Sequence, residues 1–458
     1  MFDSFKPGKV SIIGAAKSGL AAAGYFKSRG VDVFVSDTCP ESKLMSLLGA
    51  KDLSGIPHES VGHTEKVLEA DLIVLSPGVR SDIPVLLSAR AKGIPVWSEM
   101  ELGYRASKAM FLAVTGSTGK STTVSLLGEA LKAGGKNAVV AGNIGIPVIS
   151  MTPQLPSDAI VVAEVSSFQL ETIDKFHPHA AAVLNFMKNH LDRYATEDDY
   201  YNAKKEIARN MNRDDFLVLN ARDPKLREWA KEIGTRVSVI YFGEDMAGAD
   251  CFWPENGFIR YRFQGRSGTI LETAAMKIQG LHNYENACVA AAMAKAAGVD
   301  DTSIARGICS FEGLAHRLEF AGETGGVRYF NDSKSTTAES ITCAVSAFDK
   351  GVHLIAGGRD KGCDFTVVNN AILKHVKDIC LIGEAADRMY AIWQGLVPIY
   401  RASTLDEAVS QTVSHAVPGD TVVFSPGCSS YDMFANFEER GEVFKKIVLT
   451  ILSRRDGQ

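Results

Sequence analysis

The sequence predicts an α/β fold in three domains, each built on a mostly parallel sheet, and three observations carry that expectation. Short apolar runs rich in Val, Ile, Leu and Ala recur along the chain and end in loops of Gly, Ser, Asn or Asp. Buried parallel strands read this way because both of their faces are covered. Several of these runs lead into helix-like stretches, the alternation expected of a doubly wound sheet. Finally, 458 residues, 46% hydrophobic and 22% charged, provide material for about three cores.

Composition narrows the function. A net charge of −5 and a pI near 6.1 offer no basic footprint, so no nucleic acid partner is expected. No apolar run approaches the ~20 residues a membrane helix requires, and residues 1–6 lack the apolar centre of a signal peptide. The eight cysteines form no C-x-x-C pair. Reduced thiols in a cytoplasmic enzyme are therefore expected, without a disulfide frame or zinc site.

The first domain is placed at residues 1–107. Val10-Ser11-Ile12-Ile13 reads as a strand, Gly14-Ala15-Ala16-Lys17-Ser18-Gly19 as a glycine turn, and residues 20–29 as an alanine-rich helix. A second strand follows at residues 31–35, with Asp37 at its end. This is the opening of a Rossmann-like unit: a turn and helix N-terminus for a diphosphate, an acid for a ribose hydroxyl. Ala16 replaces the central glycine of the dinucleotide fingerprint and Lys17 adds a cation, which suits a nucleotide diphosphate better than a dehydrogenase cofactor. Asp71-Leu72-Ile73-Val74-Leu75 then delivers Ser76-Pro77-Gly78 to the same sheet edge. Lys17, Ser18, Asp37 and Ser76 are the candidate substrate contacts here, against the alternative of an α/β domain whose loops bind nothing.

The central domain is placed at residues 108–314 and holds the stretch with the most chemistry. An apolar run at residues 110–114 enters Thr115-Gly116-Ser117-Thr118-Gly119-Lys120-Ser121-Thr122, followed by a helix-like segment at residues 122–132. Glycines admit a ligand close to the backbone, and amides at the helix start suit a phosphate. Lys120 can reach outer phosphates, and the Ser121 hydroxyl can ligate Mg²⁺. The match to G-x-x-x-x-G-K-[ST] is partial, because Val114 stands where the first glycine would be. A plain turn with a solvated lysine is the alternative; the strand before and helix after argue for an ATP site. Gly142-Asn143-Ile144-Gly145 makes a second polar loop. Residues 159–163 form a strand that ends at Glu164, where an NTPase places its Mg²⁺ acid. After a further strand at residues 181–185, His190 lies on a polar loop. It is a helix cap, surface residue or core group, or else a metal ligand on the same sheet edge. Residues 200–207 read as a helix carrying Lys204 and Lys205.

The third domain is placed at residues 315–458, after a hinge at residues 313–317. Strands at 327–330, 353–356, 379–382 and 421–424 each end in a polar loop: Asn331-Asp332-Ser333-Lys334, Gly357-Gly358-Arg359-Asp360-Lys361-Gly362, Gly383-Glu384 and Ser425-Pro426-Gly427. A doubly wound sheet with its site at the carboxyl edge is expected.

In order along essentially the whole chain, these segments resemble the Mur ligases of peptidoglycan synthesis. The resemblance rests on residues 115–122, Gly142-Asn143-Ile144-Gly145, Glu164-Val165-Ser166-Ser167-Phe168-Gln169-Leu170 and His190-x-Asp192. It continues through Gly280-Leu281-His282-Asn283-x-x-Asn286-Ala287, His316-Arg317 and Asn331-Asp332-Ser333-Lys334. The C-terminal segment from Ser425 to Gly441, with Ser430-Tyr431-Asp432 and Phe437-Glu438, is similar to the branch that adds D-glutamate.

The resemblance implies an ATP-dependent amide ligase acting on UDP-N-acetylmuramoyl-L-alanine and D-glutamate through an acyl phosphate. It implies a cytoplasmic monomer serving cell-wall synthesis. It assigns Gly116, Ser117, Thr118, Gly119, Lys120, Ser121 and Thr122 to the triphosphate, and Asn283 and Asn286 to the adenine. Arg317 and Asp332 fall to the ATP, and Lys334 to its γ-phosphate. Ser121 and Glu164 would serve one Mg²⁺ and His190 a second. Lys204, in the register Tyr200-Tyr201-Asn202-Ala203-Lys204, would be carbamylated to give that metal an oxygen ligand, although Lys205 lies next door. Lys120, Glu164, His190, Lys204 and Lys334 thus become the catalytic set. Asn143 is implied on the uridine-substrate or amino-acid side, and Thr336, Lys361, Ser430 and Phe437 around D-glutamate. Three other readings stand beside this one: a Mur-type ligase with different amino-acid specificity, a folylpolyglutamate synthetase, or a non-catalytic nucleotide-binding regulator.

Overall fold

The computed structural model describes residues 6–143, 145–187, 193–360 and 362–455. It contains three sheets. The first comprises β1 (Lys9–Ile13), β2 (Asp32–Ser36), β3 (His58–Glu59), β4 (Leu72–Leu75) and β5 (Val96–Ser98). Its order is β3-β2-β1-β4-β5, parallel throughout. Val10, Ile12, Val35, Leu72 and Val74 are fully buried, which explains why the strands read as unbroken apolar runs.

The second sheet has nine strands: β6 (Met110–Thr115), β7 (Ala138–Gly142), β8 (Ile160–Glu164), β9 (Ala180–Val183), β10 (Phe216–Asn220), β11 (Ser238–Phe242), β12 (Cys251–Glu255), β13 (Phe258–Phe263) and β14 (Arg266–Glu272). Their order is β14-β13-β12-β11-β10-β9-β6-β8-β7. From β12 to β7 the neighbours run parallel; β13 and β14 add an antiparallel meander. That meander is a departure from a purely parallel sheet. Its alternating stretch Phe258-Ile259-Arg260-Tyr261-Arg262-Phe263 buries Ile259, Tyr261 and Phe263 and turns the residues between them outward, the signature of a sheet covered on one face. β6 lies between β8 and β9, where the strand order reverses, and ligands favour the carboxyl end of such a switch point.

The third sheet comprises β15 (Glu319–Thr324), β16 (Val327–Asn331), β17 (Val352–Gly357), β18 (Val376–Ile382), β19 (Ile399–Arg401) and β20 (Thr421–Phe424), in the order β15-β16-β20-β17-β18-β19. Only the β15–β16 pair is antiparallel. Near its amino edge, buried His353 sets Nδ1 2.9 Å from Asp378 Oδ1 and Nε2 3.1 Å from Asp420 Oδ2.

The chain divides into two compact units, residues 1–311 with the first two sheets and residues 312–458 with the third. All eight cysteines are free. Among the described residues no helix is long and apolar enough to cross a membrane. Two local expectations shift. The helix after the phosphate loop starts at Lys120, two residues early, because Gly119 (φ 84°) turns the chain directly into it. Residues 332–337 stay irregular and the helix begins at Ala338, since Asp332 and Ser333 bond elsewhere instead of capping it.

Candidate active site

The phosphate loop joins β6 to the helix Lys120–Ala133. Gly116 and Gly119 have φ of 150° and 84°. A Cβ on Gly116 would fall 2.9 Å from Leu184 Cβ, and one on Gly119 2.7 Å from Asn286 Oδ1. Only glycine fits at either position. Val114 is fully buried as the penultimate residue of β6, so a glycine there would weaken the strand without widening the loop.

Three neighbouring strand ends converge on this loop. From β8, Glu164 is buried; its Oε2 accepts from Ser121 Oγ at 2.6 Å and its Oε1 from Asn143 Nδ2 at 2.9 Å. Ser121 Oγ and Glu164 Oε2 are hard oxygen donors of the kind Mg²⁺ takes; at 2.6 Å they are hydrogen-bonded to each other, and would part to about 3.0 Å, the edge of an octahedron with ~2.1 Å bonds, to hold the ion. Among the described residues no three His, Cys, Asp or Glu side chains cluster as a metal cage. From β9, Asn185 Oδ1 accepts the amides of Ser117 and Thr118, both at 3.0 Å. Asn185 was not singled out from sequence; only its place two residues past a buried strand marks it. The helix Leu281–Ala296 contributes Asn286, whose Oδ1 accepts from Thr123 Oγ1 at 3.1 Å. Asn283 points away, with Nδ2 donating to Gln279 O. Thr122 is buried in the first turn.

Lys120 folds back, Nζ donating to Gly116 O at 2.8 Å and Ser117 O at 3.1 Å. Lys204, on the helix Glu197–Lys205, is 1% exposed and donates to the same Gly116 O at 2.9 Å, with Nζ 4.4 Å from the Tyr200 ring centre. Burial, reinforced by the Lys120 charge, holds the Lys204 amine well below the usual lysine range. Lys205 turns the other way, 3.9 Å from Glu232.

At the carboxyl edge of the first sheet, Asp37 accepts the amides of Ala15 (2.5 Å) and Cys39 (2.8 Å). Burial alone would raise its pKa, but these bonds and the charge of His63 hold it low. Ser76 is buried, with Oγ donating to Gly14 O at 2.7 Å. Both shape the glycine turn directly. Lys17 Nζ donates to Gly145 O at 3.0 Å, bringing the turn beside the Asn143 loop; Ser18 is half-buried next to it.

In the second unit, Asp332 is buried between the Ser425 hydroxyl (2.8 Å) and the Leu318 amide (3.1 Å). Burial pushes its carboxyl up to about 7, against the opposing pull of Ser425 and Arg317. Arg317, next to Leu318, is exposed and follows His316 at φ 60°. Lys334 is half-buried with Nζ 5.7 Å from the Phe437 ring centre, and Thr336 is half-buried nearby in sequence. Phe437 O accepts from Ser333 Oγ at 2.8 Å, and Ser430 is buried. Arg440, part of the C-terminal segment that carries the resemblance but without an expected role, is buried and ties Ser333 O (2.8 Å) to Cys428 O (3.0 Å). His190 and Lys361 lie outside the described residues.

A glycine loop, a lysine, a serine and a strand-end carboxylate at the switch point of a parallel sheet define a nucleotide-binding α/β protein of the phosphate-loop class. Comparison with known proteins then specifies it, and the chain belongs to the Mur ligase family. Residues 8–98 match the Mur ligase MurD-like N-terminal domain, 114–294 the Mur ligase middle domain and 316–428 the Mur ligase glutamate ligase domain. The UDP-N-acetylmuramoylalanine–D-glutamate ligase of Geotalea daltonii is 42% identical over 443 residues, 96% of this chain and 97% of that protein. The same-named ligase of Koribacter versatilis is 39% identical, over 96% and 97%. Among solved structures, the UDP-N-acetylmuramate-alanine ligase of Thermotoga maritima superposes with a TM-score of 0.58 at 19% identity, covering 96% of this chain and 99% of that one. The MurF ligase of the same organism, in complex with ADP, gives 0.59 at 16% identity, covering 91% and 95%.

Proposed function

We propose that this chain joins D-glutamate to UDP-N-acetylmuramoyl-L-alanine at the expense of ATP, as a cytoplasmic, monomeric enzyme of peptidoglycan synthesis. The family consists of ATP-dependent amide-forming ligases, and relatives at 38–42% identity over nearly their full length carry the D-glutamate ligase name. The structural observation that carries the reading is the Ser121–Glu164 oxygen pair beside a phosphate loop that two lysines approach.

Amides do not form readily from a carboxylate and an amine in water, so the acid must first be activated. The terminal carboxylate of the uridine substrate attacks the γ-phosphorus, releasing ADP and leaving an acyl phosphate. The D-glutamate amine adds to the acyl carbon, and phosphate leaves. Residues 116–122 bind the triphosphate, with Lys120 and, from the second unit, Lys334 countering charge on the transferring phosphoryl group. Ser121 and Glu164 would hold one Mg²⁺, and His190 with a carbamylated Lys204 a second. When bound, the ions neutralise phosphate oxygens and orient them. The low pKa of Lys204 supports that modification, since only an uncharged amine adds CO₂. Asn283, Asn286, Arg317 and Asp332 serve the nucleotide. Lys17, Ser18, Asp37, Ser76 and Asn143 serve the uridine substrate; for Asp37 and Ser76 the geometry favours shaping the turn that receives it. Thr336, Lys361, Ser430 and Phe437 serve D-glutamate. Working divisions near residues 107 and 314 separate the three roles.

The test is ADP release. It should require UDP-N-acetylmuramoyl-L-alanine and D-glutamate together; release that ignores the amino acid, or prefers L-alanine, overturns the assignment.

A further inference from the structure

One contact in the first unit belongs to none of the assigned roles. Arg193 Nη1 donates to Pro77 O at 3.0 Å, although the two residues are far apart in sequence. Pro77 lies in the loop that β4 delivers to the carboxyl edge of the first sheet; Arg193 lies beyond β9 of the second. The guanidinium is held on its other side by Glu171 Oε2 at 2.9 Å, with side-chain exposures of only 10% and 13%. Its carbon sits 4.0 Å from the centre of the Phe168 ring, a stacking arrangement that suits the flat guanidinium and that lysine cannot reproduce.

Glu171 has a second partner. Its Oε1 accepts from the Tyr194 hydroxyl at 2.5 Å, and burial together with Glu171 keeps that phenol protonated. The Tyr194 ring stacks on Phe168 (6.1 Å between centres) and leans on Tyr200 (5.3 Å). Tyr200 in turn donates to Ser117 Oγ at 3.4 Å and lies under the Lys204 amine. A continuous chain of contacts thus runs from the Pro77 peptide to the phosphate loop. It flanks a cleft of about 280 Å³ lined by Arg80, Asp82, Glu171, Arg193 and Asn202 among others.

We propose that Arg193 is a positioning residue for the ligase reaction: it clamps the Ser76-Pro77-Gly78 loop to the central sheet, so that the uridine-linked carboxylate is presented to the phosphate loop at a set distance. Glu171 fixes the guanidinium, and neither residue touches the reacting atoms. This inference rests on the function proposed above. Misplacing a reacting group by about 1 Å costs up to ~100-fold in rate, so a clamp at this seam is felt in substrate use more than in folding.

The experiment compares Arg193→Met, Arg193→Lys and Glu171→Gln with the wild-type chain. Arg193→Met is expected to raise KM for UDP-N-acetylmuramoyl-L-alanine by about tenfold, the loss of a charge-assisted hydrogen bond, while KM for ATP stays within about twofold. Lysine cannot span Pro77 O and Glu171 together, so Arg193→Lys should fall near Arg193→Met; Glu171→Gln should shift the same constant less. If Arg193→Met does not fold, the other two variants carry the test. In the absence of any substrate, amide hydrogen exchange at Ser76, Gly78 and Val79 should quicken in the variants. Equal shifts in both KM values alongside a lower melting temperature, or unchanged exchange at these three amides, overturn the clamp. Because the exchange measurement needs no substrate, it judges the clamp even if wild-type ADP release fails to depend on the uridine substrate, which would instead sink the ligase reading.

Discussion

Lys120 and Lys204 end on the same atom: their Nζ groups lie 2.8 Å and 2.9 Å from the carbonyl oxygen of Gly116. Burial holds the Lys204 amine well below the usual lysine range, and repulsion from the Lys120 ammonium lowers it further. The fold thereby favours the uncharged amine beside the phosphate loop.

Lys204→Ala should therefore lower amide formation by about 100-fold or more, with part of the loss restored by acetate or formate, which supply the missing oxygen ligand. Lys204→Arg, which cannot take up CO₂, should not be restored. In the wild-type chain, activity after CO₂ stripping should fall and return with bicarbonate. It should also drop as pH falls and the amine regains its proton. Wild-type rates in Lys204→Ala would remove the carbamate.

Glu164→Gln keeps the shape of the side chain and removes its charge. Turnover should fall by about 100- to 1,000-fold, as expected when a site loses several kcal/mol of metal-dependent stabilisation. The Mg²⁺ concentration for half-maximal rate should rise, and binding of the uridine substrate, measured by calorimetry, should be unchanged. A variant with normal Mg²⁺ dependence would show that Glu164 serves only Ser121 and Asn143.

Asn185→Ala removes the acceptor for the Ser117 and Thr118 amides. Hydrogen exchange at these two positions should quicken, and the chain should lose about 1 kcal/mol of stability. Exchange equal to wild type would mean that the loop holds its shape without Asn185.

His353 presents both ring nitrogens to carboxylates, an arrangement that favours the doubly protonated ring. Burial works against the charge, but Asp378 and Asp420 outweigh it and raise the pKa above the ordinary 6.5. Lys377 and His415 flank the same two acids. The stability this cluster contributes is complete below pH 6.5 and drains as pH climbs through the higher folded value. His353→Gln should cost about 3 kcal/mol at pH 6, and its melting temperature should change less than that of wild type between pH 6.5 and 8.5. Parallel melting curves across that range would show that His353 is not the titrating group.

Much of this was legible in the sequence because buried parallel strands announce themselves. Residues 10–13, 110–114 and 159–163 are apolar but for Ser11, show no alternation and run into Gly14, Thr115 and Glu164, so the loops that follow had to gather at one edge. The register from Tyr200 points to Lys204 with Lys205 beside it; in the fold Lys204 is buried and Lys205 half-buried. What escaped were contacts without a local signal. The Asn185 amide oxygen serves a loop delivered by a different strand, and nothing in residues 181–187 marks that service. Arg193 meets Pro77 across 116 residues of chain, and the part Arg440 plays in joining two loops has no local signal in a helix start that reads as an ordinary charged surface. The antiparallel β13–β14 meander lacks the unbroken apolar runs of the parallel strands, because its alternation marks a sheet buried on one face only.

The bonds from Ser117 and Thr118 to Asn185 also bear on selectivity. A nest of backbone N–H groups ordinarily attracts any compact anion, but here an uncharged side-chain oxygen already fills that part. Inorganic phosphate or sulfate would have to displace it and would gain few other contacts in exchange. A ligand able to engage the lysine and the helix start together can do so, which makes the loop discriminating before any substrate arrives.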